Sequence, residues 1–306
     1  MNASFPSLGL GIGWRPELAL AIDRNPMIGF VEVLAEDFDP WGPIPPPIER
    51  LRQRGIPIIP HGVSLSLGSA EPPDSKKIAA LAQLATSLNA PLVSEHLAFV
   101  RAGDIETGHL LPVPRTRETL EILVENIRHA KTLLPVPLAL ENIATLFEWP
   151  HAELNEVDFL SEVVEQTDVF LLLDIENVYA NALNHGWDPV AFLDRLPLHR
   201  IAYAHVAGGV ERQGLYHDTH AHPVPAAVLE LLEELCTRVS VPGILLERDG
   251  HFPIEEELSA ELKAIASAAR RGKMKGETHD TGSNPSETGK SPACLGSGTH
   301  SANNRP

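Results

Sequence analysis

Cysteine and long apolar runs are both scarce in this chain of 306 residues. Its two cysteines, Cys236 in a segment predicted to be helical and Cys294 in a polar segment, predict no disulfide framework. No run of about 18 apolar residues occurs, and no basic segment precedes an apolar one at the N-terminus. We therefore expect no membrane span, no signal peptide and a cytoplasmic location.

Basic residues are also few, with 24 Lys and Arg against 41 Asp and Glu and a formal net charge of −17. Binding to a phosphate backbone requires clustered Lys and Arg, so we expect no nucleic-acid partner. The sequence has no G-x-S-x-G motif and no phosphate-binding loop, and its first glycine-rich turn, GLGIGW, does not match a dinucleotide fingerprint. These absences leave few nucleophile-based or nucleotide-based functions open.

The chain is predicted to have one folded domain, at 1–271, followed by a disordered polar tail at 272–306. The tail is rich in Gly, Ser, Thr and Asn and almost free of large apolar residues, so it cannot bury enough surface to offset the entropy lost on ordering. A single domain of about 250 residues is common for an α/β barrel.

Short apolar runs alternate with amphipathic stretches before the tail, which is typical of βα units. Apolar residues in SKKIAALAQLATSL recur at helical spacing, whereas FLLLD and GILLE are apolar on both faces, as in a parallel sheet that is covered on both sides. Eight such units predict an α/β fold that closes as a (β/α)8 TIM barrel. An open doubly wound sheet is the alternative.

Metal-capable side chains occur at the ends of six successive predicted strands. In a (β/α)8 barrel these ends meet at the face where active sites are built. Several carboxylates in one pocket would repel one another unless cations compensated them. The loop after the seventh strand adds two further candidates, which can point to the same side of an extended segment. The candidate metal ligands are His61, His96, Glu141, Asp174, His205, Asp218, His220 and Glu247.

Two or three metal ions are expected, because eight ligands exceed the four that a zinc ion normally takes. Imidazole mixed with carboxylate suits iron, zinc or manganese, and the spacing does not choose among them. Any one of these residues alone could instead cap a helix or donate a hydrogen bond, but their succession at strand ends favours a metal site.

Several stretches of this sequence together resemble the multinuclear non-heme iron dependent oxidative enzymes, and they cover most of the predicted barrel. The order and number of the matches carry the resemblance, above all the long segment that contains NVYANALNHG. The matching stretches are PHGVSLSLG (60–68), SEHLAF (94–99), LEN (140–142), LLDIENVYANALNHGWDP (172–189), AHVAG (204–208), HDTHAHPV (217–224) and LERDG (246–250).

This resemblance implies a barrel that binds two or three iron ions, uses dioxygen as co-substrate and modifies a ribosomally made precursor peptide, often at cysteine. It places the metal ligands of the family on the same eight residues. It also implies a separate partner protein that binds the leader of the peptide. Four further residues are expected to orient the ligands or to add to them: Glu95, Asn142, Asn177 and His222.

The chain departs from the family pattern at two positions. Many relatives carry histidine where this chain has Gly209 and asparagine where it has Glu176. An alternative function is that of a sugar isomerase or phosphoesterase that uses redox-inert divalent metals on a xylose-isomerase-like barrel. A metal-storage protein without chemistry is the least favoured interpretation, because a large site at a barrel mouth is better explained by a substrate pocket.

Overall fold

Eight parallel strands form a closed barrel in the computed structural model, which describes residues 5–281. The order of the strands around the barrel follows the chain, and the last strand pairs with the first. The predicted α/β fold, a (β/α)8 TIM barrel, is confirmed. The barrel strands are β1 (Gly9–Gly13), β2 (Ile28–Leu34), β3 (Ile58–Gly62), β4 (Val93–His96), β7 (Leu138–Glu141), β8 (Phe170–Asp174), β9 (Ile201–Val206) and β12 (Gly243–Leu246).

Helices surround the barrel, and several begin at a polar residue that caps the first turn. Asp74, Thr116 and Asn155 each accept a hydrogen bond from a backbone N–H of the helix that follows. Within residues 5–281 no helix is both long enough and apolar enough to cross a membrane. The helices are α1 (Ala19–Arg24), α2 (Pro46–Gln53), α3 (Ser75–Leu88), α4 (Arg117–Leu133), α5 (Glu156–Thr167), α6 (Ile175–His185), α7 (Pro189–Arg195), α8 (Ala226–Arg238) and α9 (Glu255–Thr281).

Two antiparallel hairpins extend the loops that follow β4 and β9, and the sequence analysis did not predict them. The first pairs β5 (Phe99–Ala102) with β6 (Ile105–Leu111), and the second pairs β10 (Val210–Arg212) with β11 (Leu215–His217). No residue of β6 or β10 is buried, so these strands lack the apolar runs that mark the barrel strands. The second hairpin leads directly into the loop that carries two candidate ligands.

The interior of the barrel changes from apolar to charged along several of the strands. Leu172 in β8 and Leu245 in β12 belong to the apolar cluster inside the barrel. Side chains two residues apart on a strand point to the same face, so Asp174 and Glu247 enter the interior one step closer to the carboxyl ends. Alternation along the strands therefore collects the candidate ligands at one end of the barrel.

The last helix differs from the sequence prediction, because α9 continues past residue 272, where the disordered tail was expected to begin. Gly272 packs against α8 so closely that a Cβ atom there would lie 2.3 Å from the carbonyl oxygen of Glu233. Arg271 and Lys275 form ion pairs with the same glutamate, both at 2.6 Å. The polar composition of this segment gave no indication of these contacts with α8. The rest of the predicted tail, 282–306, lies outside the described residues.

We expect the substitution Gly272→Ala to destabilise the fold by about 1–3 kcal/mol, the usual cost of overpacking. Alanine is the better helix former by about 1 kcal/mol, so an effect of helix propensity alone would have the opposite sign. Urea denaturation followed by circular dichroism measures the difference, with Lys273→Ala, at an exposed position of the same helix, as the control. A Gly272→Ala variant as stable as the natural chain would contradict the close packing of α8 and α9.

Candidate metal centre

The eight candidate ligands that the sequence predicts all lie in four overlapping groups at the carboxyl ends of the strands. In each group the ligand atoms lie within 4.8 Å of one another. The groups share members, so together they form one continuous cluster. The first group is His61, His96 and Glu141; the second is Glu141, Asp174, His205 and Glu247; the third is Glu176, Asp218 and His220; the fourth is His220, Glu247 and Asp249.

In the first group, two imidazole rings direct their Nε2 atoms at one carboxylate oxygen. The Nε2 atoms of His61 and His96 lie 3.3 and 3.4 Å from Oε2 of Glu141. The two rings meet edge to face, with centroids 4.5 Å apart. Nδ1 of His96 lies 3.2 Å from the carbonyl oxygen of Gly62, to which it can donate a hydrogen bond. This bond leaves Nε2 of His96 free to bind a metal ion.

The second group is built around Nδ1 of His205. This atom lies 3.3 Å from Oε1 of Glu141, 3.2 Å from Oε2 of Glu247 and 3.8 Å from Oδ2 of Asp174. Glu141 therefore presents one carboxylate oxygen to the first group and the other oxygen to the second. A carboxylate placed in this way can bridge two metal ions.

The third and fourth groups meet at His220. Its Nε2 atom faces Asp218 and lies 3.6 Å from Oε2 of Glu176, while its Nδ1 atom lies 3.3 Å from Glu247 and 3.5 Å from Asp249. The backbone of His220 is left-handed, with φ of 49°. Asp218 and His220 therefore approach each other across a turn, and not along the extended segment that their spacing predicts.

The pKa values of the buried carboxyl groups are shifted in opposite directions, upward beside other carboxylates and downward beside histidines. Burial, together with the charges of Glu141 and Asp218, raises the pKa of Asp174 to about 7. Burial and the charge of Asp218 raise that of Glu176 to about 10. Burial also opposes ionisation of Glu141, but the histidines around it, His205 first, outweigh this and lower its pKa to about 2. Protons thus compensate part of the negative charge in the metal-free chain.

The cluster fits bound metal ions, because several of its fully buried polar atoms lack a hydrogen-bond partner. These atoms include Oε2 of Glu141, Oδ2 of Asp174, Nδ1 of His205 and both carboxylate oxygens of Glu176. Leaving such groups unpaired in the interior is costly, and coordination to a cation would satisfy them. The donors are imidazole nitrogens and carboxylate oxygens, a set that suits iron, zinc or manganese.

Three of the four residues that were expected to orient the ligands do contact them. The side chain of Asn142 binds the backbone N–H and C=O of Asp174, at 2.9 and 3.0 Å, and the backbone N–H of Asn177 donates to Oδ1 of Asp174. Glu95 accepts a hydrogen bond from the backbone N–H of His96. His222 differs, because its ring contacts Thr219 and His251, which lie outside the four groups.

Sequence reasoning missed Glu176 and Asp249 as members of the cluster. Each lies two residues after a predicted ligand, and Glu176 is completely buried. It also missed Arg15, a buried guanidinium that pairs with Glu247 at 3.3 Å and with Asp249. For Asp249 the spacing was a usable signal, because it repeats the two-residue spacing seen at Asp218 and His220. Nothing in the sequence around Arg15 indicates its role.

Glu176 and Gly209, the two departures from the family pattern, are in contact with each other. A Cβ atom on residue 209 would lie 2.5 Å from Oε1 of Glu176 and 2.3 Å from the carbonyl oxygen of His217. Real Cβ atoms do not approach other atoms this closely. Because glycine at 209 has no side chain, the Glu176 carboxylate can occupy the space beside it.

The family description "RiPP precursor modification enzyme MbnB/TglH/ChrH" matches residues 9–270, which is nearly the whole barrel. The chain belongs to this family, the multinuclear non-heme iron dependent oxidative enzymes. Membership of this family, together with the barrel and its metal-capable cluster, identifies the chain as an enzyme.

Relatives in several bacteria carry the name UPF0276 protein. One from Streptomyces avermitilis is 54% identical over 266 residues, which are 85% of this chain and 54% of the relative. The chain therefore spans about half the length of that relative. Another, from Caulobacter vibrioides, is 36% identical over 275 residues, which are 88% of this chain and 98% of the relative.

Solved structures with the same fold share little sequence with this chain. An L-ribulose 3-epimerase superposes with a TM-score of 0.54 at 16% identity and covers 91% of this chain and 99% of its own. Endonuclease IV from Thermus thermophilus gives a TM-score of 0.53 at 19% identity, covering 86% and 99%. At this level of identity the likeness shows the barrel fold alone.

We expect the metal-free chain to lose stability as the pH rises from about 6.5 to 9. Burial lowers the pKa of His96, but Glu141 and Glu95 outweigh it and raise the pKa from 6.5 to about 9, so the stabilisation present below pH 6.5 is lost over this window. The raised pKa of Glu176 acts in the same direction, because its charged form is disfavoured in the folded chain. Glu141 acts only below about pH 4.5.

The melting temperature of chelator-treated protein, measured at both ends of this window, checks the prediction. Added Zn²⁺ should raise the melting temperature more at the higher pH, because metal ligands must be deprotonated. A metal-free melting temperature that is constant or rises over the window would contradict the pKa shifts of the cluster.

Proposed function

We propose that this chain is a multinuclear iron-dependent oxidase that uses dioxygen to modify a ribosomally made peptide, at cysteine. The observation that supports it best is the carboxylate of Glu141, which faces His61 and His96 of the first group with one oxygen and His205 of the second group with the other. Two adjacent metal positions with a shared ligand are the arrangement that a multinuclear centre requires. The family assignment supports a precursor peptide as substrate.

In this proposal each metal ion corresponds to one group of residues, and the first two ions share Glu141. The first ion would be held by His61, His96 and Glu141, and the second by Glu141, Asp174, His205 and Glu247. Arg15 would hold Glu247 in place through their ion pair. A third ion would be held by the third group, which contains Asp218 and His220.

Bound iron would supply the redox chemistry with dioxygen and would hold a substrate thiol in its deprotonated form. The residues of the chain determine where the substrate approaches. Asp174 is fully buried, whereas the side chains of Asp218 and His220 are 23% and 14% exposed. The peptide would therefore enter from the side of the loop that follows β11, and the depth of the barrel would exclude water from the inner ligands.

Anaerobically purified protein should contain two or more iron ions per chain, as measured by mass spectrometry of the metals. The variant Glu141→Gln should lose most of this iron, because it removes a charged ligand from both of the groups that share it. Glu156→Gln is the matched control, since Glu156 is a partly buried glutamate outside the four groups and should leave the iron content unchanged.

Zinc or manganese in place of iron, after growth in iron-rich medium, would overturn the oxidase proposal. That outcome would favour the alternative of a sugar isomerase or phosphoesterase with redox-inert metals. Iron retained at the natural level in Glu141→Gln would contradict the bridging position of this carboxylate.

A precursor peptide incubated with the iron-loaded enzyme should change mass only when dioxygen and the cysteine of the peptide are both present. A cysteine-to-serine peptide is the matched control, because serine lacks the thiol that would bind iron. Peptide mass and oxygen uptake measure the reaction. Modification of the serine peptide at the same rate, or in the absence of oxygen, would contradict the proposal.

We further propose a cytoplasmic location. We also propose a separate partner protein that binds the leader of the peptide, as the family resemblance implies. The genes beside the one encoding this chain test the partner. A neighbourhood that encodes neither a small precursor nor a second protein would count against it.

A further inference from the structure

Three polar side chains form a buried layer directly beneath the candidate ligands. Glu32 in β2, Ser94 in β4 and Tyr203 in β9 are 3%, 0% and 0% exposed. Ser94 lies two residues before His96, and Tyr203 lies two residues before His205, so these strands direct both members of each pair into the barrel. The three side chains are in none of the four metal-capable groups, and the proposed function does not use them.

A continuous chain of hydrogen bonds runs through this layer from one metal group to another. Nδ1 of His61 lies 2.8 Å from Oγ of Ser94, which lies 2.7 Å from the hydroxyl of Tyr203. The Tyr203 hydroxyl also contacts Oε2 of Glu32, and the same oxygen lies 3.1 Å from Nε2 of His205. The carboxylate of Glu32 thus connects a histidine of the first group with the histidine of the second.

With Glu32 ionised and both histidines neutral, as binding of a metal ion requires, the protons in this chain of contacts have only one consistent arrangement. A carboxylate can only accept, so the Tyr203 hydroxyl and Nε2–H of His205 both donate to Glu32. The single proton of Tyr203 is then in use, so the Ser94 hydroxyl must donate to the Tyr203 oxygen. The proton of Ser94 is used in turn, and Nδ1–H of His61 must therefore donate to Ser94.

This arrangement leaves free the ring nitrogen of each histidine that faces the carboxylates. His61 keeps its lone pair on Nε2, which faces Glu141, and His205 keeps its lone pair on Nδ1, which faces Glu141 and Glu247. We propose that Glu32 is a positioning residue that fixes the tautomer of both histidines, acting directly on His205 and through Tyr203 and Ser94 on His61. The inference rests on the proposed metal centre.

Metal affinity and ring protons together test this role in the full chain. Glu32→Leu removes the acceptor of both branches and should weaken Co²⁺ binding by about 10- to 100-fold, as is usual when a group that orients a metal ligand is lost. Tyr203→Phe interrupts only the branch to His61 and should have a smaller effect. Glu32→Gln should restore part of the affinity, because its amide oxygen can still accept both bonds.

Proton NMR of the zinc-loaded protein distinguishes a positioning role of Glu32 from a purely structural one, because it detects the ring proton of His205 directly. The hydrogen-bonded Nε2–H proton of His205 should be visible in the natural chain and in Tyr203→Phe, and should be lost in Glu32→Leu. Thr167→Val is the control for loss of a buried hydroxyl, since the Thr167 hydroxyl donates to the carbonyl oxygen of Val163 within α5, at the outside of the barrel. It should bind Co²⁺ with unchanged affinity.

Natural affinity and a retained His205 proton signal in Glu32→Leu would overturn the positioning role and leave the metal centre intact. An equal loss of affinity in Thr167→Val would also overturn it, because general destabilisation would then explain the effect. If Glu32→Leu does not fold, unchanged affinity in Tyr203→Phe overturns the connection to His61. A natural chain that binds no Co²⁺ would overturn the metal centre itself and this inference with it.

Discussion

The repulsion among carboxylates inside the barrel mouth is the constraint on which the rest of the site depends. Glu141, Asp174, Glu176 and Glu247 are all buried within one cluster. Four negative charges in so small a space are unstable without compensation. In the metal-free chain protons and histidines compensate them, as the raised pKa values of Asp174 and Glu176 show. Metal ions would replace those protons, so metal binding and the stability of the fold are linked.

The fold and most of the candidate site could be predicted because both follow from regular periodicities. Apolar runs marked the eight strands, and the position of each strand end determined which side chain enters the mouth. That reasoning predicted every member of the first two metal-capable groups. It needed no knowledge of distances, since closure of the barrel brings the strand ends together.

The remaining features depend on contacts that no local pattern encodes. Glu32 is an isolated charge in the apolar strand GFVEVL, and only the closed barrel places it beneath His205 and Tyr203. The continuation of α9 depends on Gly272 packing against α8. The composition of this segment alone predicts disorder, because it contains few large apolar residues. His222 has the residue type and spacing of a ligand, yet the left-handed turn at His220 precedes it and its ring packs elsewhere.

The contact between Gly209 and Glu176 also restricts how this site can change during evolution. Any larger side chain at 209 would meet both the Glu176 carboxylate and the carbonyl oxygen of His217, so a mutation there requires that the Glu176 side chain moves or shortens and that the backbone of β11 shifts. The side chain at 176 and the loop that carries two of the candidate ligands are therefore expected to change together with residue 209, and not independently of it.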